Sequence, residues 1–265
     1  MLELINICKT FNPGTINEKP ALQNLSLKLE TGDFVTVIGG NGAGKSTMLN
    51  AIAGTWPLDG GRVMIDGIDV TGMPEHKRAK YLGRVFQDPM TGTAATMEIE
   101  ENLALAYRRG RSHTLKWRIN SAERRRYREM LKVLDLGLED RMTSKVGLLS
   151  GGQRQALTLL MATIRRPNLL LLDEHTAALD PKTAAKVLEI SQRFIDEEKL
   201  TALMVTHNMH DAIQYGNRLV MMDSGKVILD IAGEEKKNLT VSELLHKFEE
   251  VSGAEFVDDK SLLSK

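Results

Sequence analysis

The chain carries a single cysteine, Cys8, among its 265 residues. No intrachain disulfide can form and no thiolate metal site is suggested; Cys8 reads as a small buried hydrophobe on the first strand. An excess of either charge is also missing, because 35 basic residues face 35 acidic ones. The molecule as a whole therefore offers no electrostatic case for nucleic acid. No apolar run approaches the about 18 residues needed to span a bilayer. The opening residues Met1-Leu2-Glu3-Leu4-Ile5-Asn6 lack the basic region and apolar core of a signal peptide. Any membrane role is expected to come through a partner. Internal repeats, low-complexity tracts and long linkers are absent from the sequence, and the length suits one good core with a lobe inserted in it.

What is present is an alternation of short strands and helices. Strand-like runs cover Leu2 to Ile7, Leu22 to Leu29, Phe34 to Ile38, Arg62 to Asp66 and Leu82 to Phe86. A helix is expected from near Lys45 to just before Gly54, with Pro57 and Gly60-Gly61 as breakers. From about Asp88 to Met161 helical patterns dominate, at Glu98 to Tyr107, Ser121 to Leu134 and Gly151 to Ile164. The alternation then returns, with strands at Leu169 to Leu172, Thr201 to Val205 and Leu219 to Asp223. Helices are expected from Pro181 to about Glu198 and from Met209 to Tyr215. An Asp223-Ser224-Gly225 turn leads into a strand at Val227 to Asp230. Continuous apolar strands between helices mean a mostly parallel sheet covered on both faces. A last helix is signalled by the capping box of Thr240 and Glu243, with Leu244, Leu245, Phe248 and Val251 on one face. It is expected to pack back on the core, and the chain beyond Gly253 to be loosely held.

The run Gly39-Gly40-Asn41-Gly42-Ala43-Gly44-Lys45-Ser46 sits between the Phe34 to Ile38 strand and the helix that opens at Lys45. Glycines let a backbone approach phosphate closely and point several N–H groups at it, and the helix adds its positive end. Lys45 would neutralise the β- and γ-phosphates, and Ser46 would hold Mg²⁺ through its hydroxyl. The second half of such a site is the apolar strand that ends in Asp173-Glu174. A buried strand delivers carboxylates to its C-terminal edge, where ligands bind in open α/β sheets. Asp173 is the expected Mg²⁺ ligand, directly or through water. Glu174 is expected to polarise the water that attacks the γ-phosphate, a role that contributes about 10²–10⁴-fold. Between these halves, Leu149-Ser150-Gly151-Gly152-Gln153 is a second helix N-terminus with a serine and glycines, suited to a γ-phosphate.

Together, in this order, these motifs resemble the nucleotide-binding subunits of ATP-binding cassette (ABC) transporters, over about residues 2 to 230. The resemblance implies an α/β, P-loop NTPase ABC ATPase fold: a mostly parallel sheet core, an antiparallel β subdomain and an inserted helical subdomain. Residues 1–87 and 163–232 would form the ATP-binding core with its β subdomain, 88–162 the helical signature subdomain, and 233–265 the C-terminal helix and tail. Gly39, Asn41, Gly42, Ala43, Gly44, Lys45, Ser46 and Thr47 are implied to hold the nucleotide. Ser150, Gly151, Gly152 and Gln153 would serve the nucleotide held by a second, identical subunit, so that a two-fold dimer closes on two Mg-ATP. Gln87 looks like the glutamine that senses Mg²⁺ and γ-phosphate, and Ala178-Leu179-Asp180 like a loop at the dimer interface. Asp180 also reads as the N-cap of the next helix, with Pro181 in its first position. His207 looks like the histidine that contacts the γ-phosphate. Phe11 stands where the family puts a ring against adenine, with a core role as the competing reading.

The sequence departs from the family pattern at His175, which follows Glu174 where proline is usual. A proline would stiffen that turn; histidine is expected to leave more freedom and a titratable ring, altering rate without abolishing activity. The stretch Tyr107 to Arg128 holds nine Lys or Arg and a single acid, Glu123. A solvated helical face and a contact with anionic lipid or with the membrane subunit compete for it. Nucleic acid is disfavoured, since only Tyr107, Trp117 and Tyr127 could stack. The resemblance extends to a little-characterised bacterial importer group of amino-acid type, associated with lipoprotein binding proteins and, in some members, aromatic amino acids. The expected protein is thus an ATPase on the cytoplasmic side of the membrane, held there by a permease and working with an extracytoplasmic substrate-binding lipoprotein. A soluble ABC ATPase of iron–sulfur cluster assembly type, or an exporter ATPase, is the alternative.

Overall fold

The computed structural model describes residues 1–110 and 119–252. Trp117, the basic residues between 111 and 118, the side chain of Val251 and the chain beyond 252 lie outside the described residues. The N-terminal elements are β1 (Leu2–Phe11), β2 (Lys19–Leu29), β3 (Phe34–Ile38), α1 (Lys45–Ala53), β4 (Gly60–Ile65) and β5 (Ile68–Asp69). The middle of the chain forms α2 (Glu75–Arg78), β6 (Leu82–Val85), α3 (Ile99–Tyr107), α4 (Ser121–Lys132) and α5 (Gly151–Thr163). It continues through β7 (Leu169–Asp173), α6 (Pro181–Glu198), β8 (Ala202–Val205), α7 (Met209–Gln214), β9 (Arg218–Asp223) and β10 (Lys226–Ala232). It closes with α8 (Gly233–Lys237) and α9 (Val241–Ser252). The short β5, α2 and α8 carry no sequence pattern of their own, which is why periodicity passes over them.

The chain divides into two compact units, one formed by Met1–Glu75 with Thr201–Lys265 and the other by His76–Leu200. In the first, β2, β1, β4 and β5 form an antiparallel sheet. Asn6 and Asn24 take positive φ (47° and 51°) where the β1–β2 register shifts, as one class of β-bulge does. In the same unit β3 runs parallel to both β8 and β9, and β10 pairs antiparallel with β9. Every residue of β3 and β8 is buried, the pattern of strands covered on both faces. The β9–β10 turn has consecutive positive φ at Ser224 (48°) and Gly225 (75°), as a tight hairpin demands.

The second unit pairs β6 and β7 in parallel and is otherwise helical. The α6 helix buries Val187, Leu188, Ile190, Phe194 and Ile195 along one stripe. Its N-cap is Asp180, whose carboxylate accepts from the Thr183 N–H at 3.1 Å, and Pro181 occupies the first turn.

The last helix does pack back. Leu244 and Phe248 are buried in one apolar cluster with Ile38, Met209, Ala212, Leu219, Met221 and Ile231. Its capping box is made as expected, with the Thr240 N–H donating to Glu243 Oε2 at 2.8 Å and the Glu243 N–H to Thr240 Oγ1 at 3.3 Å. In α8 the buried Lys236 donates to the backbone carbonyls of Tyr215 and Gly216, tying the C-terminal segment to the end of α7. Burial pushes this amine down from its usual value near 10.5 to about 8. Between those two values the unfolded chain holds a proton that the folded chain has lost, so stability rises with pH across that window. Denaturant unfolding from pH 7 to pH 10.5 should show this rise, and Lys236→Met should flatten it.

Candidate nucleotide site

In the first unit the glycine loop joins β3 to α1, and its shape is set by close backbone packing. Gly39, Gly42 and Gly44 have φ of 151°, 85° and 100°, conformations that favour glycine. A Cβ on Gly39 would lie 2.2 Å from the Met222 carbonyl oxygen, and one on Gly44 2.5 Å from that of Ala21. Around Gly40, by contrast, a Cβ would meet nothing within 4 Å, so the loop is packed on one side and open on the other. Gly44 is the N-cap of α1, and Lys45 opens the helix. The Lys45 ammonium curls over the loop and donates to the carbonyls of Gly39 (2.6 Å) and Gly40 (3.2 Å). Ala43 and Lys45 are buried, while Asn41, Gly42 and Ser46 are exposed and Thr47 is half-buried on the first turn. The result is an open, positively charged helix N-terminus, the arrangement that takes a phosphate.

The same unit carries His207 and Phe11. His207 is exposed in the segment between β8 and α7, where Asn208 caps the helix by accepting from the Asp211 N–H at 3.2 Å. Phe11 ends β1 half-buried, with its ring edge-on to Trp56 at 5.0 Å between centroids. Lys19, at the start of β2, escaped the sequence reading. Its ammonium lies 3.5 Å from where a Cβ on Gly42 would sit, so it adds positive charge at the crest of the loop. No motif marks it; only the sheet geometry brings it there.

In the second unit, β7 buries four leucines and ends at Asp173, and Glu174 follows in the left-handed region with φ 42°. For a residue with a side chain this conformation costs on the order of 1–3 kcal/mol and persists only where its surroundings hold it. The turn is closed by the Ala177 N–H donating to the Glu174 carbonyl at 3.0 Å. Arg84 of β6 reaches Asp173 Oδ2 at 3.5 Å, a partner that no local sequence pattern announces.

His175 does not behave as the sequence suggested. Its ring is 2% exposed, and Nε2 lies 3.0 Å from Ser191 Oγ on α6. Burial pushes its pKa down to about 4, so the ring is neutral at physiological pH. In place of added freedom and a titrating group, the position holds a pinned, uncharged side chain.

The signature segment opens α5 with a full capping box. Ser150 Oγ accepts from the Gln153 N–H at 3.3 Å, and Gln153 Oε1 accepts from the Ser150 N–H at 3.2 Å. Gly151 is exposed at the tip. Gly152 is buried, and a Cβ there would fall 2.0 Å from Thr183 Cγ2 on α6. Gln87 is exposed just beyond β6. The carbonyl of its neighbour Phe86 accepts from Gln155 Nε2 at 3.1 Å, and Gln155 is fully buried with its Oε1 unpartnered. Gln155 is a second residue the sequence reading missed, although it stands two places after the motif.

The basic stretch is partly satisfied within its own unit. Arg108 pairs with Glu123 at 3.1 Å, and Arg124 meets the buried Glu100 through two hydrogen bonds of 2.7 and 2.5 Å. Arg126 donates to Tyr107 Oη at 2.6 Å and lies over its ring. Arg125 and Arg128 are exposed. A test of surface binding should therefore replace Arg125 and Arg128, since changing Arg124 strips a buried carboxylate of its counterion.

Each unit offers donors of the type a hard cation takes: a hydroxyl at Ser46 in the first, and a carboxylate at Asp173 and an amide oxygen at Gln87 in the second. Among the described residues no cluster of three or more His, Cys, Asp or Glu forms that could hold a metal by itself. Mg²⁺ keeps several waters and is carried largely by substrate phosphates. Its chemistry when bound would be to neutralise phosphate charge.

Residues 22–177 match the family model described as ABC transporter. Over 254 residues the chain is 44% identical to a tyrosine transport ATP-binding protein of Clostridioides difficile (strain R20291), covering 94% of this chain and 99% of that one. It is 35% identical over 233 residues to a methionine import ATP-binding protein of Corynebacterium diphtheriae, covering 86% of this chain and 64% of the relative. Among solved structures, the dimeric post-hydrolysis form of the ATP-binding cassette MJ0796 bound to ADP and Pi superposes with a TM-score of 0.75. It shares 30% identity and covers 88% of this chain and 98% of that one. The chain belongs to the ABC transporter family. It is an ATP-binding and ATP-hydrolysing subunit with the P-loop NTPase fold, using ATP with Mg²⁺. No described helix is long and apolar enough to cross a membrane.

The closeness of Gly152 to Thr183 gives a direct test of the signature packing. Gly152→Ala should destabilise the fold by about 1–3 kcal/mol through overpacking. Thr183→Ser removes the clashing methyl group and should recover most of that loss in a denaturant double-mutant cycle.

Proposed function

We propose that this chain powers the import of an aromatic amino acid, with tyrosine as the first candidate, through a separate membrane permease. The observation that carries this reading is the 44% identity to a tyrosine transport ATP-binding protein across nearly the whole of both chains. The methionine import relatives are less similar and extend well beyond this chain, which spans 64% of the one named above. Iron–sulfur cluster assembly and export find no such support, since the relatives are named for transport and import. In this reading the protein works at the cytoplasmic face, held by its permease, and a substrate-binding lipoprotein delivers the cargo outside.

In the catalytic cycle we assign Lys45 and the amides of Asn41 to Thr47 to the phosphates, with Ser46, Asp173 and Gln87 to Mg²⁺. Glu174 accepts the proton of the attacking water, and His207 contacts the γ-phosphate. Phe11 lies against adenine. Ser150 to Gln153 and Asp180 belong to the interface with a second copy of the chain, so that two ATP close the pair and hydrolysis reopens it. A dimeric cassette at 30% identity supports that arrangement.

Glu174→Gln should lower ATP turnover by at least about 10²-fold while ATP still binds, because only the general base is removed. The same variant should run as a dimer with ATP in size-exclusion chromatography with light scattering. A variant that stays monomeric with saturating ATP would count against the two-copy cycle. For the cargo, tagged protein drawn from native membranes in mild detergent should bring a polytopic permease and a lipoprotein. That lipoprotein should bind tyrosine in calorimetry; binding of methionine alone would redirect the assignment, and purely soluble partners would remove transport.

A further inference from the structure

The left-handed turn at Glu174 is closed on one side by the Ala177 N–H on its carbonyl, and the next residue in the chain offers a second hold. His175 is buried beside the turn, its ring anchored to Ser191 in the third turn of α6. The Ser191 hydroxyl is aimed at the Val187 carbonyl, 2.8 Å away and one helical turn earlier. With the hydroxyl proton in that bond, the matching imidazole tautomer carries its proton on Nε2 and donates it to the Ser191 oxygen. Both partners are buried: Ser191 is 1% exposed and sits within the helix, and His175 is 2% exposed. A peptide unit whose side chain is anchored in this way cannot rotate freely, and the peptide joining residues 174 and 175 is part of that unit.

We propose that His175 is the positioning residue for Glu174, its hydrogen bond to Ser191 holding the left-handed turn that aims the carboxylate. This rests on the reading of Glu174 as the general base. Loss of the anchor removes one of the constraints that hold Glu174 at φ 42°, away from the regions that residues with a Cβ prefer, and a shift of the backbone there moves the carboxylate with it. A displacement of about 1 Å at a reacting group can cost on the order of 10²-fold in rate. Nucleotide affinity, which depends on the glycine loop, should be untouched.

The test compares His175→Phe, Ser191→Ala, the double variant and His175→Gln, whose amide N–H can reach the Ser191 oxygen. For each, kcat and KM for ATP hydrolysis are measured with the thermal midpoint and the affinity for a fluorescent ATP analogue. The expected result is a fall in kcat of about 10- to 10²-fold for His175→Phe and Ser191→Ala, with KM and analogue affinity within about threefold. The double variant should be no worse than either single one, because both remove the same bond, and His175→Gln should recover most of the rate. If Ser191→Ala and His175→Gln both fold and the first retains full kcat, the proposal is overturned; this holds even if His175→Phe fails to fold. A loss of kcat matched by an equal loss of analogue affinity would also overturn it, since that marks a general structural role. Glu174→Gln is run alongside. If it turns over at the wild-type rate, the reading of Glu174 has failed; if it is inactive while Ser191→Ala is unimpaired, only the inference about His175 has.

Discussion

The glycine loop is a meeting of three backbones with no room for side chains between them. Gly39 lies against the Met222 carbonyl, Gly44 against that of Ala21, and the Gly225 N–H donates to the Ala43 carbonyl at 3.0 Å. The Gln23 N–H reaches the Gly225 carbonyl at 3.0 Å, so β2, the loop and the β9–β10 turn are stitched together through the main chain. Backbone packed this closely leaves the loop little room to shift. The direction in which α1 presents its N-terminus follows from this junction, and so does the place of Lys45. Every assignment made to the phosphates depends on it.

Much of this was legible in the sequence, for a physical reason. Motifs that act through backbone geometry leave strong local traces: glycines at the loop, a serine and a glutamine three apart at the start of α5, Asp180-Pro181 at the start of α6. In each case the residue type is dictated by the conformation of its own few neighbours, so a linear reading finds it. The buried strands β3 and β7 were readable because uninterrupted apolar runs have few other uses in a chain of this composition.

What escaped the sequence acts across distance. Lys19 reaches the loop only because β2 is laid in a particular register, and Arg84 meets Asp173 only because β6 and β7 run side by side. His175 was misjudged for the same reason. Judged by its neighbours in sequence it is a loosened turn with a titrating ring, whereas its real partner is sixteen residues away on α6. Asp180 shows the intermediate case, in which the cap was visible but its hold on the Thr183 N–H became measurable only in three dimensions. β1 runs on to Phe11 and β2 starts back at Lys19, past the apolar runs that mark them in the sequence, because their polar ends pair with each other.

Gln155 has a mechanical meaning. Its amide is polar at both ends, yet only the nitrogen end is satisfied, by the Phe86 carbonyl. Turning the amide over would set oxygen against oxygen, so the side chain has one usable orientation and works like a keyed pin between α5 and the strand end that precedes Gln87. Within this unit α5 and the strand end before Gln87 are thus joined by a hydrogen bond of a single polarity, and breaking it would leave a second buried end of the same amide unpaired.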